Sequence, residues 1–248
     1  MLTVATLNLR GSANRWEKRF PLVVDTLHQT NADIIALQEV RINIEQHHLL
    51  ANALNTQYYT DHDAYLCEDW YDPHIMGNGF LTSVPVLEHE RMELPEGYRT
   101  AQRTLVEIDG QPINIVNTHL HHKPYRDESI RLRQVTRIFE WLAKYPQPII
   151  FMGDMNARPE SETVLKIKEC LQSAHEAVHL KEPAITFPTP LRRGEGISAR
   201  TIDYIFCDKR FDVQACAVIG KTHAPDDDTL YPSDHFGLCA TIDTSLLT

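Results

Sequence analysis

Short apolar runs along the chain stop, again and again, at a polar residue able to bind a cation or move a proton. Val4-Ala5-Thr6-Leu7 ends at Asn8, Ile34-Ile35-Ala36-Leu37-Gln38 at Glu39, and Ile113-Asn114-Ile115-Val116-Asn117-Thr118 at His119. Ile149-Ile150-Phe151-Met152 leads into Gly153-Asp154-Met155-Asn156, Asp203 stands before Tyr204-Ile205-Phe206, and Ser233-Asp234-His235 stands before the last apolar run. Short apolar runs bounded by such stops predict buried strands. Burying carboxylates and amides is costly unless something pairs with them, and α/β sheets keep their functional crevice outside the carboxyl ends of the strands. The six ends together predict one hard-cation site with histidines beside it.

The same patterning predicts strands at 3–9, 34–38, 78–86, 104–108, 112–118, 149–152, 202–207 and 236–242. One helix is predicted from Pro21, a residue suited to a first turn, to Gln29. A second covers 45–54, with Leu49, Leu50 and Leu54 at helical spacing. A third covers 129–144, where Leu132, Val135, Ile138, Phe139 and Leu142 share a side, and a fourth covers 160–171. The stretch 183–200, with Pro188, Pro190, Gly194 and Gly196, is expected to be the longest loop and a mobile one. Two strand–helix–strand–helix units result, and the second strand of each ends in an acid, Glu39 or Asp154. An α/β fold of two mixed sheets packed face to face, with helices outside, satisfies this order. No linker divides residues 1–248 and the candidate ligands run from Asn8 to His235, so a single domain is expected.

The net charge of −10 does not draw polyanions to the molecule as a whole. A nucleic-acid substrate then needs a bound cation or a local basic rim. The rim candidates are Arg10, Arg15, Lys18, Arg19, Arg99, Arg103, Lys123, Arg126, Arg192, Arg193 and Arg200, set against the plain reading of solvated surface charges. Five cysteines without CxxC spacing point to free thiols and a reducing compartment. The start runs straight into a strand and no apolar stretch could span a bilayer, so a cytoplasmic monomer is expected.

Each motif has a plain reading beside the chemical one. A glutamate at a strand end is ordinarily just exposed, but Asn8 ends a second strand and supplies the neutral oxygen Mg²⁺ accepts beside carboxylates. Asp154 and Asn156 form either a water-activating and phosphate-donating pair on a turn eased by Gly153, or an Asx turn capping the next helix. Ser233-Asp234-His235 joins a metal ligand to a titratable base, His119 adds a second imidazole, and Asp203 adds a carboxylate that could keep an imidazole charged. Gly77-Asn78-Gly79 reads as a turn into a strand, with Asn78 a candidate phosphate contact. The doublets His47-His48 and His121-His122 are read as structural, the second with substrate contact as its alternative. No cysteine joins the cluster and HExxH is absent, which argues against a dedicated zinc site, and the absence of GxxxxGK[ST] and GxSxG argues against a P-loop enzyme and a serine hydrolase.

Taken together, Thr6-Leu7-Asn8, Leu37-Gln38-Glu39-Val40, Gly77-Asn78-Gly79-Phe80, Asn117-Thr118-His119-Leu120, Gly153-Asp154-Met155-Asn156, Thr201-Ile202-Asp203-Tyr204-Ile205-Phe206 and Ser233-Asp234-His235 resemble the endonuclease/exonuclease/phosphatase superfamily. Thr186-Phe187-Pro188 is similar to many bacterial members. The resemblance implies the DNase I-like four-layer α/β/β/α sandwich. It implies Asn8, Glu39 and Asp234 as ligands of Mg²⁺ or Mn²⁺, with one or two ions left open. It implies Asp154 on the attacking water, Asn156 and His119 on the scissile phosphate, Asp203 and His235 as an acid–base pair, and Arg103 near the phosphate. The expected function is a metal-dependent phosphodiesterase acting on nucleic acid or a nucleotide-like diester. A phospholipid or small-phosphoester hydrolase and a catalytically inactive RNA-binding relative are the alternatives. The superfamily's abasic-site endonucleases carry a tyrosine near the block where His119 stands. The Asn-Thr-His-Leu form is closer to deadenylases, tyrosyl-DNA phosphodiesterases, sphingomyelinases and DNase-like enzymes.

Overall fold

The computed structural model describes residues 1–68, 76–122 and 127–245. In chain order it holds β1 (Leu2–Asn8), α1 (Trp16–Gln29), β2 (Ile34–Arg41), α2 (Gln46–Tyr58), β3 (Asp63–Glu68), β4 (Met76–Thr82), β5 (Val86–Glu93), β6 (Thr100–Ile108) and β7 (Gln111–His119). There follow α3 (Ser129–Leu142), β8 (Ile149–Asp154), α4 (Glu162–Cys170), β9 (Leu171–Ser173), α5 (Ala174–His179), β10 (Asp203–Asp208), β11 (Asp212–Ile219) and β12 (Gly237–Asp243). One sheet runs β11-β12-β1-β2-β4-β3 and the other β5-β6-β7-β8-β10-β9. Only β1–β2 and β7–β8 are parallel among the described pairs, and each of those pairs is joined through a helix, as a parallel connection requires.

Strand alternation divides the side chains between two environments. Leu2 and Val4, Ile34 and Ala36, Ile113 and Ile115, Ile150 and Met152, and Ile205 and Cys207 point between the sheets and make one shared core. The opposite faces pack under the helices. Ala5, Leu7, Ile35 and Leu37 meet Val23, Val24, Leu50 and Leu54 of α1 and α2, while Val116, Phe151 and Phe206 meet Val135, Ile138 and Val164 of α3 and α4. Burying each such side chain contributes about 1.5–3 kcal/mol. Continuing the inward rows by twos leads to Thr6 and Asn8, Gln38, Asn117 and His119, Asp154, and Asp203. Each row is hydrocarbon at its base and polar at its mouth.

Three expectations are corrected. Helix α1 begins at Trp16, not at Pro21. Arg19, fully buried, donates to the carbonyls of Leu9, Gly11, Ala13, Asn14 and Pro232 and so fixes the preceding turn and the first helical residues, which overrides the proline signal. The segment 183–200 is tied down rather than free: Phe187 and Arg200 exchange backbone bonds of 2.9 and 2.8 Å, and the Phe236 N–H reaches Thr186 O at 2.7 Å. Strands β3, β5, β9 and β11 and helix α5 lie beyond the predicted set. Strand β5 is mostly exposed and its charged Glu88-His89-Glu90-Arg91 text carries no apolar signal.

Candidate active site

The mouths of β1, β2, β7, β8 and β10, with the loop carrying Asp234 and His235, surround a cleft of about 310 Å³. Its walls include Glu39, His119, Asp154, Asn156, Asp234 and His235, with Arg10, Arg99, Arg192 and Arg200 among them. Register brings the central groups together, since His119 of β7 and Asp203 of β10 both pair with Asp154 of β8. Gly153 makes that approach feasible. It has φ +135°, and a Cβ there would lie 2.0 Å from the Thr118 carbonyl oxygen.

Asp154 is the hub. Its Oδ2 accepts from Asn8 Nδ2 at 3.1 Å and lies 3.4 Å from His119 Nε2 and 3.9 Å from His235 Nε2. Its Oδ1 accepts the Asn156 backbone N–H at 2.8 Å. The Asx-type bond therefore forms, yet α4 is capped five residues later by Ser161, which accepts from the Val164 N–H. Burial, then the charge of Asp203, pushes the Asp154 carboxyl up to about 7, against the pull of His235 and the Asn156 N–H.

The two imidazoles differ in charge. Arg99 Nη1 stands 3.3 Å from His119 Nδ1; an arginine only donates, so Nδ1 accepts and Nε2 carries the proton toward Asp154. Burial, then Arg99, holds His119 well below the ordinary histidine range, so it is neutral. In His235, burial works against the charge, but the charge and hydrogen bond of Asp203, 3.0 Å from Nδ1, outweigh it and raise the group to about 10. The Phe187 ring, its centroid 4.6 Å away, packs against the His235 ring. Thr186 Oγ1 accepts from the N–H groups of Ile202 and Asp203 at 2.9 and 3.2 Å.

Glu39 reaches the cleft by a different route. By parity it belongs with Leu37 on the helix-facing side of β2. A register break between Leu37 and Val40 sets Gln38 and Glu39 against Asn78 alone, and Glu39 takes φ +53°. Such a bulge re-aims one side chain, and Glu39 Oε1 meets Asn8 Nδ2 at 3.3 Å.

The donor set fits a hard divalent cation. The carboxylates of Glu39 and Asp154 share a single amide donor, and Glu39 adds to the charge that raises Asp154. Asn8 presents its amide nitrogen to them while its Oδ1 accepts the Arg10 N–H at 2.9 Å, so serving as an oxygen ligand requires the amide to turn over. Asp234, expected as a ligand, shares the cleft but is engaged by Arg10 Nη1 at 2.6 Å and Arg192 Nη1 at 3.0 Å. Among the described residues, Asp154, Asp203 and His235 form a group that could hold a metal ion, with ligand atoms within 4.8 Å of one another. In it, Asp203 and His235 already bond to each other.

Two expected phosphate contacts lie elsewhere. Arg103 is fully buried beneath the outer face of the second sheet, paired with Glu88, with Glu90 at 2.8 Å and with Asn114 at 2.7 Å, and stacked on Tyr145. Inward-facing Asn78 donates to Thr100 O and Oγ1 at 3.1 and 3.3 Å and does not line the cleft. Of the other rim candidates, Arg15 and Arg193 pair with Asp227 and Asp228, Lys18 is exposed, Arg19 is buried, and Lys123 and Arg126 lie outside the described residues. The doublet member His122 lines the cleft. The parts that residue-by-residue reading missed are Thr186 and Phe187 as wall and clamp, and Thr189, which holds the Ser233 carbonyl at 2.6 Å. The Thr186-Phe187-Pro188 block was the available signal.

A sandwich of two mixed sheets between helices, with its polar groups gathered at one set of strand mouths, is a DNase I-like fold. The chain belongs to the Endonuclease/Exonuclease/phosphatase family, whose sequence profile matches residues 5–235. That family is generally one of phosphoric ester hydrolases, typically using divalent metals. No curated protein sequence matches the chain. Among solved structures it is similar to a functionally unknown conserved protein from Enterococcus faecalis, at 24% identity and TM-score 0.75, covering 98% of this chain and 99% of that one. It is similar also to D. rerio TDP2 complexed with single strand DNA product, at 18% identity and TM-score 0.77, over 98% and 99% of the two chains. The human Nocturnin catalytic domain with bound sulfate anion gives 20% identity and TM-score 0.77 over 98% and 94%. These likenesses are of fold. No helix among the described residues is long and apolar enough to cross a membrane.

Proposed function

We propose that the protein is a divalent-metal-dependent phosphodiesterase acting on nucleic acid or a nucleotide-like diester. The observation that carries this reading is the buried Asp154 carboxylate flanked by one neutral and one charged imidazole in an arginine-rimmed cleft. The D. rerio TDP2 structure holding a single-strand DNA product on the same fold supports a nucleic-acid substrate.

Asp154, with its proton affinity raised toward neutrality, orients the attacking water and takes its proton. His235, kept charged by Asp203, meets the negative charge that grows on phosphorus-bound oxygen. His119 presents Nε2–H, and Asn156 has one amide hydrogen left after its 3.1 Å bond to Leu120 O. Both donate to non-bridging oxygens. Glu39, with Asn8 turned over, would hold Mg²⁺ or Mn²⁺, and Asp234 would join them on exchanging its arginine contacts. The bound ion would neutralise charge on a non-bridging or departing oxygen.

The test is a substrate panel of single- and double-stranded DNA, RNA, a 5′-tyrosyl-DNA, a 2′,3′-cyclic phosphate and a sphingomyelin analogue, each with Mg²⁺, Mn²⁺ or EDTA. Metal-dependent cleavage of a nucleic-acid substrate, lost by ~100- to 10,000-fold in Asp154→Asn, is expected. Preference for the sphingomyelin analogue would move the reading to lipid hydrolysis. Cleavage unaffected by both EDTA and Asp154→Asn would overturn it.

A further inference from the structure

Beneath the cleft the layer between the sheets changes from hydrocarbon to amide. Thr6, Gln38 and Asn117 are all fully buried there. Asn117 belongs to β7, in the second sheet, but its side chain serves the first. Nδ2 donates to Leu37 O and to Gly79 O, both at 2.9 Å, and Oδ1 accepts from Gln38 Nε2 at 2.8 Å. Gln38 Nε2 goes on to Thr6 Oγ1 at 3.0 Å.

These partners frame the β2 bulge. Leu37 and Gly79 are the last register partners before it, and Gln38 is its first residue. The second bulge residue is Glu39, at φ +53°, a region disfavoured for a residue with a side chain and held only when its surroundings over-determine it. Without the bulge, strand parity would turn Glu39 away from the cleft, because a shift of one residue exchanges the two faces.

We infer that Asn117 is a positioning residue that pins the β2 bulge and thereby sets the cation affinity of Glu39, an inference resting on the cation reading above. The chemistry of the side chain is specific. Two donors and one acceptor at fixed separation span β2 and β4 of the first sheet. Serine offers one donor, aspartate offers none, and leucine offers nothing polar. Asn117 lies two residues before His119 on the same inward row, so one strand delivers a phosphate donor and steadies the carboxylate across from it.

The test is Mn²⁺ binding by calorimetry to the full chain, with thermal unfolding in EDTA alongside. Asn117→Leu and Asn117→Ser are expected to raise the Mn²⁺ dissociation constant by ~10- to 100-fold, the usual effect of a lost outer partner. The double variant Asn117→Ser/Glu39→Gln should bind no more weakly than Glu39→Gln alone, because Asn117 acts through Glu39. Should Asn117→Leu fail to fold, Asn117→Ser carries the comparison. A fall in melting temperature with unchanged Mn²⁺ affinity would reduce Asn117 to a structural part and overturn the inference. Wild-type protein that binds no Mn²⁺ would overturn the cation reading itself.

Discussion

Replacing Gly153 with alanine puts the assembly of the cleft under a direct load. The new Cβ would lie 2.0 Å from the Thr118 carbonyl oxygen, at a backbone φ of +135°. That oxygen belongs to the main chain of β7, so it cannot swing aside as a side chain would. Relief requires β7 and β8 to part where His119 and Asp154 are register partners. The strained backbone costs about 1–3 kcal/mol and the overpacking about as much again, together roughly 2–6 kcal/mol. A domain of this size loses about 2–4 °C of melting temperature per kcal/mol, giving a fall of about 4–24 °C. A calorimetric scan reads this directly. Hydrolysis, assayed well below both melting temperatures, should fall too, because the 3.4 Å spacing of His119 and Asp154 is disturbed. A melting temperature within about 2 °C of wild type, with an unchanged rate, would refute the steric argument.

Further outcomes follow from particular contacts. In Asp203→Asn, burial is left without its main opponent, so the His235 titration should move down from about 10, with Asp234 and Asp154 still raising it; an unmoved NMR titration would contradict the assignment. Burial lowers His47 to about 4 from 6.5, so the unfolded chain binds more protons between those values. The His47 contribution should be full above pH 6.5 and decline as pH falls toward 4, with His119 adding in the same direction and the raised Asp154 opposing it. In denaturant titrations at pH 7 and 4.5, His47→Gln should lose less than wild type, and an equal loss would remove His47 from the account. Arg103→Met should destabilise by about 1–3 kcal/mol and leave KM alone, because its partners are Glu88, Glu90 and Asn114; a raised KM with intact stability would restore it to the phosphate.

Much of the candidate site was legible because six apolar runs each stop at a residue able to bind a cation or move a proton, a combination that no single strand end would carry. Asn8, His119, Asp154 and Asp203 each continue an inward row by two, and that parity can be counted in the sequence. Glu39 breaks the count, and its presence in the cleft depends on a bulge that no local pattern announces. The salt bridges of Asp234 with Arg10 and Arg192 join residues more than forty positions apart and leave no periodic trace. Arg103 illustrates the opposite error, a cation near the right block whose strand parity turns it onto the outer face of the sheet. Pro21 misled because Arg19 binds carbonyls from two loops and secures a helix start that proline would otherwise mark.

The hydrocarbon bases of the inward rows place the molecule's cohesion some distance from its chemistry, on the same strands. A polar exchange at the upper end of a row alters charge, donors and shape around the substrate while the oily lower tiers keep their neighbours. Under the proposed phosphodiesterase function, preference for one phosphoester over another can therefore be rewritten at a handful of upper-tier letters, with the foundation left as it stands.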